Sequence, residues 1–195
     1  MMASTIPGYR MGDPSLPASS LSGADLDRLS QALLLTDEDR AALREAKRII
    51  EPRVDRLLDV WYGFVGGHDF LLDAFSTPSG PDADYLARVR ARFSQWVLDT
   101  LDARFDERWA AYQAEVGRRH AGAKNVTDGV TGAPDVVPFR YVVALVYPIF
   151  ATVRPFLEEG ATDPAQVERM HQAWLKAVLL SVALWSEAYV RDKWF

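Results

Sequence analysis

Apolar residues in this chain recur at the three- and four-residue intervals of amphipathic helices, and no segment shows the convincing alternation of a half-buried strand. That periodicity confines the fold to the all-α class. Leu26, Leu29, Leu33 and Leu34 form the stripe of a first helix over 24–35, with Ser22 as its N-cap. Thr36 and the acids Asp37, Glu38 and Asp39 open a second, the acids lying favourably in its first turn. Pro52 removes a backbone donor and crowds the preceding turn, so the helix bends or restarts there. Its continuation carries Val54, Leu57, Leu58, Trp61, Tyr62 and Val65 and stops at Gly66-Gly67; a short helix over 68–75 follows. Pro81 suits the first turn of a long helix to Leu101, with Leu86, Val89, Phe93, Trp96, Val97 and Thr100 on its buried face. A helix over 107–120 and a loop over 122–138 rich in Gly, Asn, Asp and Pro come next. Two long helices close the chain: 139–159, with kink sites at Pro148 and Pro155, and 164–189 behind the cap Asp163. The expectation is seven or eight helices.

Residues 1–20 hold Pro7, Gly8, Gly12, Pro14 and Pro17 and read as an irregular arm, which Ile6, Tyr9, Met11 and Leu16 are able to pin to the body. Residues 21–195 are expected to form a single domain, since a chain of 195 residues suits one core. The net charge of −5 argues against a nucleic-acid partner, and Arg88, Arg90 and Arg92 read by default as a solvated helix face. Residues 1–20 contain no signal-peptide core and no stretch approaches 18 continuous apolar residues, so no membrane partner and a cytoplasmic location are expected. The absence of cysteine removes disulfides, zinc-thiolate and iron–sulfur sites, thiol nucleophiles and covalent haem attachment. Any haem is then held non-covalently, with histidine its natural axial ligand.

There are three histidines. His68 follows Gly66-Gly67 at a helix start and reads as a surface or capping residue. His171, beside Val167, Met170 and Trp174, reads as a packing or subunit-contact residue. His120 ends a helix after Arg118 and Arg119, and by itself is as consistent with a half-exposed histidine near a C-terminal dipole as with a metal ligand. Trp61-Tyr62 and Phe93 are aromatics at helical spacing, which by themselves are ordinary core residues. Together they suggest more. One imidazole on a helix and an aromatic pair on another is what a haem iron needs on its two faces. No nucleophile elbow, His-x-x-x-His pair or paired-carboxylate constellation stands out.

The chain resembles the protoglobins, single-domain haem proteins of the globin-coupled sensor lineage. The likeness runs nearly end to end, through Ile6-Pro-Gly-Tyr9, Trp61-Tyr-Gly-Phe-Val65, Tyr85-Leu-Ala-Arg-Val-Arg-Ala-Arg-Phe93 and Trp96-Val-Leu-Asp-Thr100. It continues through Tyr112-Gln113, Arg119-His120, Arg140-Tyr141, Tyr147-Pro148, Arg154-Pro-Phe156, Gln172-Ala-Trp174 and Val182-Ala-Leu-Trp185. The resemblance implies a globin-like fold with an N-terminal extension and an extra helix before the globin core. It implies haem b, with His120 as the proximal iron ligand, Tyr62 as the distal hydrogen-bond donor with Trp61 beside it, and Phe93 as a distal aromatic. Val142, Leu145 and Ile149 would face the pocket, Arg92 would meet a haem propionate, and the last two long helices would join a homodimer. Two positions depart from the family pattern. The run His120-Ala-Gly-Ala-Lys124 lacks the second histidine and extra basic residues often found there, and His171 stands where a tyrosine is usual.

The function this implies is reversible binding of O2, CO or NO at a His-ligated haem iron, for gas sensing or scavenging. A haem enzyme acting on NO, nitrite, peroxide or carbene precursors is the alternative. A haem-free interaction module is the third reading.

Overall fold

A computed structural model describes residues 6–190. Helices α1 (Gly23–Ala32) and α2 (Asp37–Ile50) start with the same device. Ser22 and Thr36, in extended backbone, accept the amides of Asp25 and Asp39, whose carboxylates return to the cap amides. Each such box satisfies donors the helix itself leaves orphaned. Asp39 also receives Nζ of Lys176 at 2.7 Å, so the second cap doubles as a tertiary tie. Helix α1 ends at Ala32, short of the expected 35, because Leu34 turns into the left-handed region at φ 53°.

Pro52 restarts the helix as expected: a 3₁₀ turn over Glu51–Arg53 separates α2 from α3 (Val54–Gly66). After α4 (Asp69–Leu72) and a 3₁₀ turn, Asp73–Phe75, comes a ladder that periodicity did not signal. Strands β1 (Ser76–Thr77) and β2 (Gly80–Pro81) pair antiparallel, each too short for alternation to register. Pro81 therefore lies in this ladder and not in the first turn of α5 (Ala83–Leu101). Asp82 takes the cap instead, its carboxylate accepting the Tyr85 amide at 2.8 Å.

Helix α6 (Glu107–Arg118) runs into a widened π turn, Arg119–Ala123, which carries His120. The expected helix over 139–159 is divided into α7 (Phe139–Ala144) and α8 (Val146–Glu158). Pro148 has no amide to return to the Ala144 carbonyl, so the ladder breaks one turn before the proline. Helix α9 (Pro164–Trp185) starts behind Asp163 and ends in a 3₁₀ turn, Ser186–Ala188. The described residues thus hold nine α-helices, the extra one arising from the break at Leu145.

Helix α9 is the centre of the molecule, packed against α2, α6 and α8. Its Met170, Trp174, Ala177 and Val178 share a core with Ile50, Leu58, Val97 and Leu157. Each large apolar side chain so buried contributes about 1.5–3 kcal/mol relative to exposure. A smaller cluster of Leu26, Leu35, Trp109, Leu180 and Leu184 seats α1 on α6 and α9. The arm is pinned too. The Tyr9 hydroxyl donates to Asp99, its ring meets Tyr112 edge-on at 5.1 Å, and Arg92 donates to the Pro7 carbonyl at 2.8 Å. The segment Phe139–Glu158 reaches a mean hydropathy of 1.3, long and apolar enough by length and composition alone to cross a membrane, and 28% of that window is buried.

Candidate functional site

A cavity of about 410 Å³ opens between α3, α5, α6, α7, α8 and α9, within the roughly 300–1,000 Å³ of small-molecule sites. All eight residues singled out from the sequence line it: Trp61, Tyr62, Arg92, Phe93, His120, Val142, Leu145 and Ile149.

His120 is tied through Nδ1 to the Val116 carbonyl at 2.8 Å. A carbonyl only accepts, so Nδ1 carries the proton and Nε2 keeps its lone pair. Val116 provides that bond's only other end, and among the described residues Nε2 has no partner. Burial, the largest influence, pushes the imidazole below its ordinary pKa, which keeps it neutral and fit to bind a metal. The ring lies nearly parallel to Trp185, centroids 5.1 Å apart and 13° between planes. Immediately beyond, Gly122 adopts φ 150°, a conformation closed to other side chains, and the loop returns so that the Val137 amide donates to the His120 carbonyl at 2.8 Å.

The aromatic wall is built from α3 and α5. Phe93 meets Trp61 edge-on at 5.7 Å and Tyr62 at 6.4 Å. The Tyr62 ring also touches Phe75 and lies under the Arg90 guanidinium, 5.7 Å from the centroid. Desolvation raises the Tyr62 phenol well above its ordinary pKa, and among the described residues its hydroxyl has no hydrogen-bond partner. It is a protonated donor facing a cavity with nothing to donate to.

The charged edge differs from what the sequence suggested. Arg92 lines the cavity, but its guanidinium is spent on both carboxylate oxygens of Asp128 and on the Pro7 carbonyl. Arg119 pairs with Glu115 at 3.1 Å. Lys124 is the cavity-lining cation left without a carboxylate among the described residues; Nζ meets the Ala74 carbonyl and the Tyr85 hydroxyl. Desolvation lowers its pKa to about 8, with only distant help from Asp135.

Sequence reasoning missed Lys124, Tyr85, Gln113 and Trp185 as parts of this site. Tyr85 precedes Arg92 by seven residues, two helical turns, which was a usable signal. Gln113 is buried outright: its Oε1 accepts the indole N–H of Trp185 at 2.8 Å and of Trp96 at 3.2 Å, while its amide nitrogen is unpaired. Such an orphan costs about 1–3 kcal/mol. The other histidines stand apart from the cavity. His68 is the N-cap residue of α4, with Nδ1 on the Phe64 carbonyl; His171 is buried, stacked on Phe150 at 3.7 Å, with Nε2 on the Phe150 carbonyl. A wider depression over Thr77–Ser79 and Gly129–Gly132 includes Arg88, which shares the Asp128 carboxylate with Arg92.

The protoglobin family model matches residues 22–194. The chain belongs to the protoglobin family. Among solved structures it is similar to the globin domain of the Geobacter sulfurreducens globin-coupled sensor, with a TM-score of 0.62 and 16% identity over 85% of this chain and 97% of that one. No curated protein sequence matches. The all-α, globin-like fold expected from the resemblance is therefore established, and family membership makes this protoglobin a globin-type haem protein that binds gas. The residues present fit a haem. The cavity offers one free imidazole nitrogen, apolar walls and a cation at its edge, and no cluster of three or more metal-ligating side chains competes for a bare ion among the described residues.

Proposed function

We propose that this protoglobin holds haem b non-covalently, with His120 on the iron, and binds O2, CO or NO reversibly for sensing or scavenging. The observation that carries the reading is the His120 tautomer: Nδ1–H is committed to Val116, and Nε2 is left free in the wall of a cavity. Haem supplies an iron that accepts an imidazole on one face and a diatomic gas on the other. Tyr62 would donate a hydrogen bond to a bound gas, and Trp61, Phe93, Val142, Leu145 and Ile149 would give that ligand apolar walls. Lys124 would pair with a carboxylate of the cofactor, and Arg92 braces the same edge through Asp128 and the arm. The wall contains one carboxylate, Asp73, among the described residues.

The apolar face of α7, α8 and α9 is assigned to a second copy. Tyr147 is 72% exposed, Val143 50% and Leu179 36%, large apolar side chains left open to solvent on these helices. Arg154, within the same stretch, is held by Glu158 and Glu168 at its rim.

Absorption spectra of the purified protein, ferric, ferrous and with CO, test the ligation directly beside His120→Gly. The expected result is a Soret band that shifts with gas, lost in the variant and regained with added imidazole. A protein that stays colourless when haem is supplied overturns the proposal.

A further inference from the structure

Gln113 lies two helical turns before His120, with no exposed surface, in a neighbourhood of indoles. An apolar side chain of similar shape would fill that space without leaving an amide nitrogen unpaired, so the acceptor oxygen is what the position keeps. That oxygen takes the N–H groups of two tryptophans from different helices, Trp96 of α5 and Trp185 of α9. Each indole reaches a different part of the cavity. Trp185 is stacked on His120, and Trp96 lies 5.6 Å from Phe93.

Gly117 is the second, independent observation. A Cβ there would stand 2.8 Å from both the Cα and the carbonyl oxygen of Trp185. The backbones of α6 and α9 therefore touch at the residue whose side chain covers His120. Gln113, Gly117 and His120 follow one another at i, i+4 and i+7, on one face. Trp185 is thus held at its backbone by the close approach at Gly117 and at its ring by Gln113.

We infer that Gln113 is a positioning residue for His120, fixing the imidazole plane through Trp185 and the aromatic wall through Trp96. The covalent tether at Cγ and the bond from Nδ1 to Val116 set the mean plane of the imidazole, and the parallel indole covers one face and limits its swing about that plane. Gln113 holds that indole by its N–H. This rests on His120 being the haem ligand.

The test is the iron–histidine stretching band of the gas-free ferrous protein by resonance Raman, for the parent, Gln113→Leu, Gln113→Glu and Trp185→Phe. Gln113→Leu removes the shared acceptor, and its band is expected to broaden and shift. Gln113→Glu returns an acceptor to both indoles and is expected to restore the parent band. Trp185→Phe keeps an aromatic ring but loses the N–H, and reports the same loosening should Gln113→Leu fail to fold. A Gln113→Leu band unchanged in position and width, even with a lowered melting temperature, reduces Gln113 to a packing residue and overturns the inference. A parent with no haem band at all overturns the ligand role of His120, and this inference with it.

Discussion

Replacing Tyr62 by Phe isolates one hydrogen atom's contribution to gas retention. The aromatic ring remains, so its edge-on contacts with Phe93 and Phe75, each at 6.4 Å, are kept. In the gas-free protein the hydroxyl has no partner among the described residues, so its loss leaves no protein group unsatisfied there, and the melting temperature should barely move. The effect should appear only with a ligand that accepts a hydrogen bond. Bound O2 carries negative charge on its outer atom, and a hydrogen bond to a charged group contributes about 1.5–3 kcal/mol. At tenfold per 1.4 kcal/mol, O2 release should quicken by about 10- to 100-fold. The lower figure is the better expectation, because the Tyr62 side chain is incompletely buried and water reaching the cavity would supply part of the lost bond. CO carries less charge, so its release should quicken by less than about threefold on the same reasoning. Stopped-flow ligand replacement measures both dissociation rates on one preparation. Equal acceleration of O2 and CO would refute the donor role and point to altered access.

Asp128→Asn strips the carboxylate from Arg88 and Arg92; as Asp128 is 2% exposed at its side chain, the cost should approach the about 3 kcal/mol lower bound for breaking a buried pair. Calorimetry should then show melting lowered by roughly 6–12 °C, at 2–4 °C per kcal/mol for a chain of this size. Lys124, lowered from 10.5 to about 8 by burial, binds its proton more readily in the unfolded chain, so the haem-free protein should gain stability as pH rises between those values. Thermal melts against pH should lose that rise in Lys124→Met, and haem retention should weaken above about pH 8 in the parent but not in the variant. Tyr147→Arg puts a charge in the exposed apolar face of α8 and should convert a dimer to monomer in sedimentation experiments; an unchanged assembly would place the interface elsewhere.

Much of the fold was legible because its signals are local. The caps at Ser22, Thr36 and Asp163 are each satisfied by a backbone amide three residues away, so a short stretch of sequence contains the whole interaction. Pro52 restarted a helix at the place its missing donor dictated. Where local signals competed, the reading slipped. Pro81 and Asp82 both mark a helix start, and the carboxylate won because it satisfies an amide that a proline can only avoid needing. Pro148 did interrupt its helix, but at Leu145, since the carbonyl it abandons lies one turn back.

The cavity's outline was likewise readable, as apolar and aromatic residues at helical spacing around one histidine. By itself the sequence determined an all-α chain, its punctuation and a short inventory of groups able to hold a metal. Which of those groups are free was decided only in three dimensions. Arg92 is spent on Asp128, 36 residues on; Trp96 and Trp185 converge on Gln113 from 17 and 72 residues away. Helices form through bonds within four residues, and sequence reports those. A charge or a lone pair is left available only after every packed neighbour has been satisfied, and those neighbours are chosen by the fold.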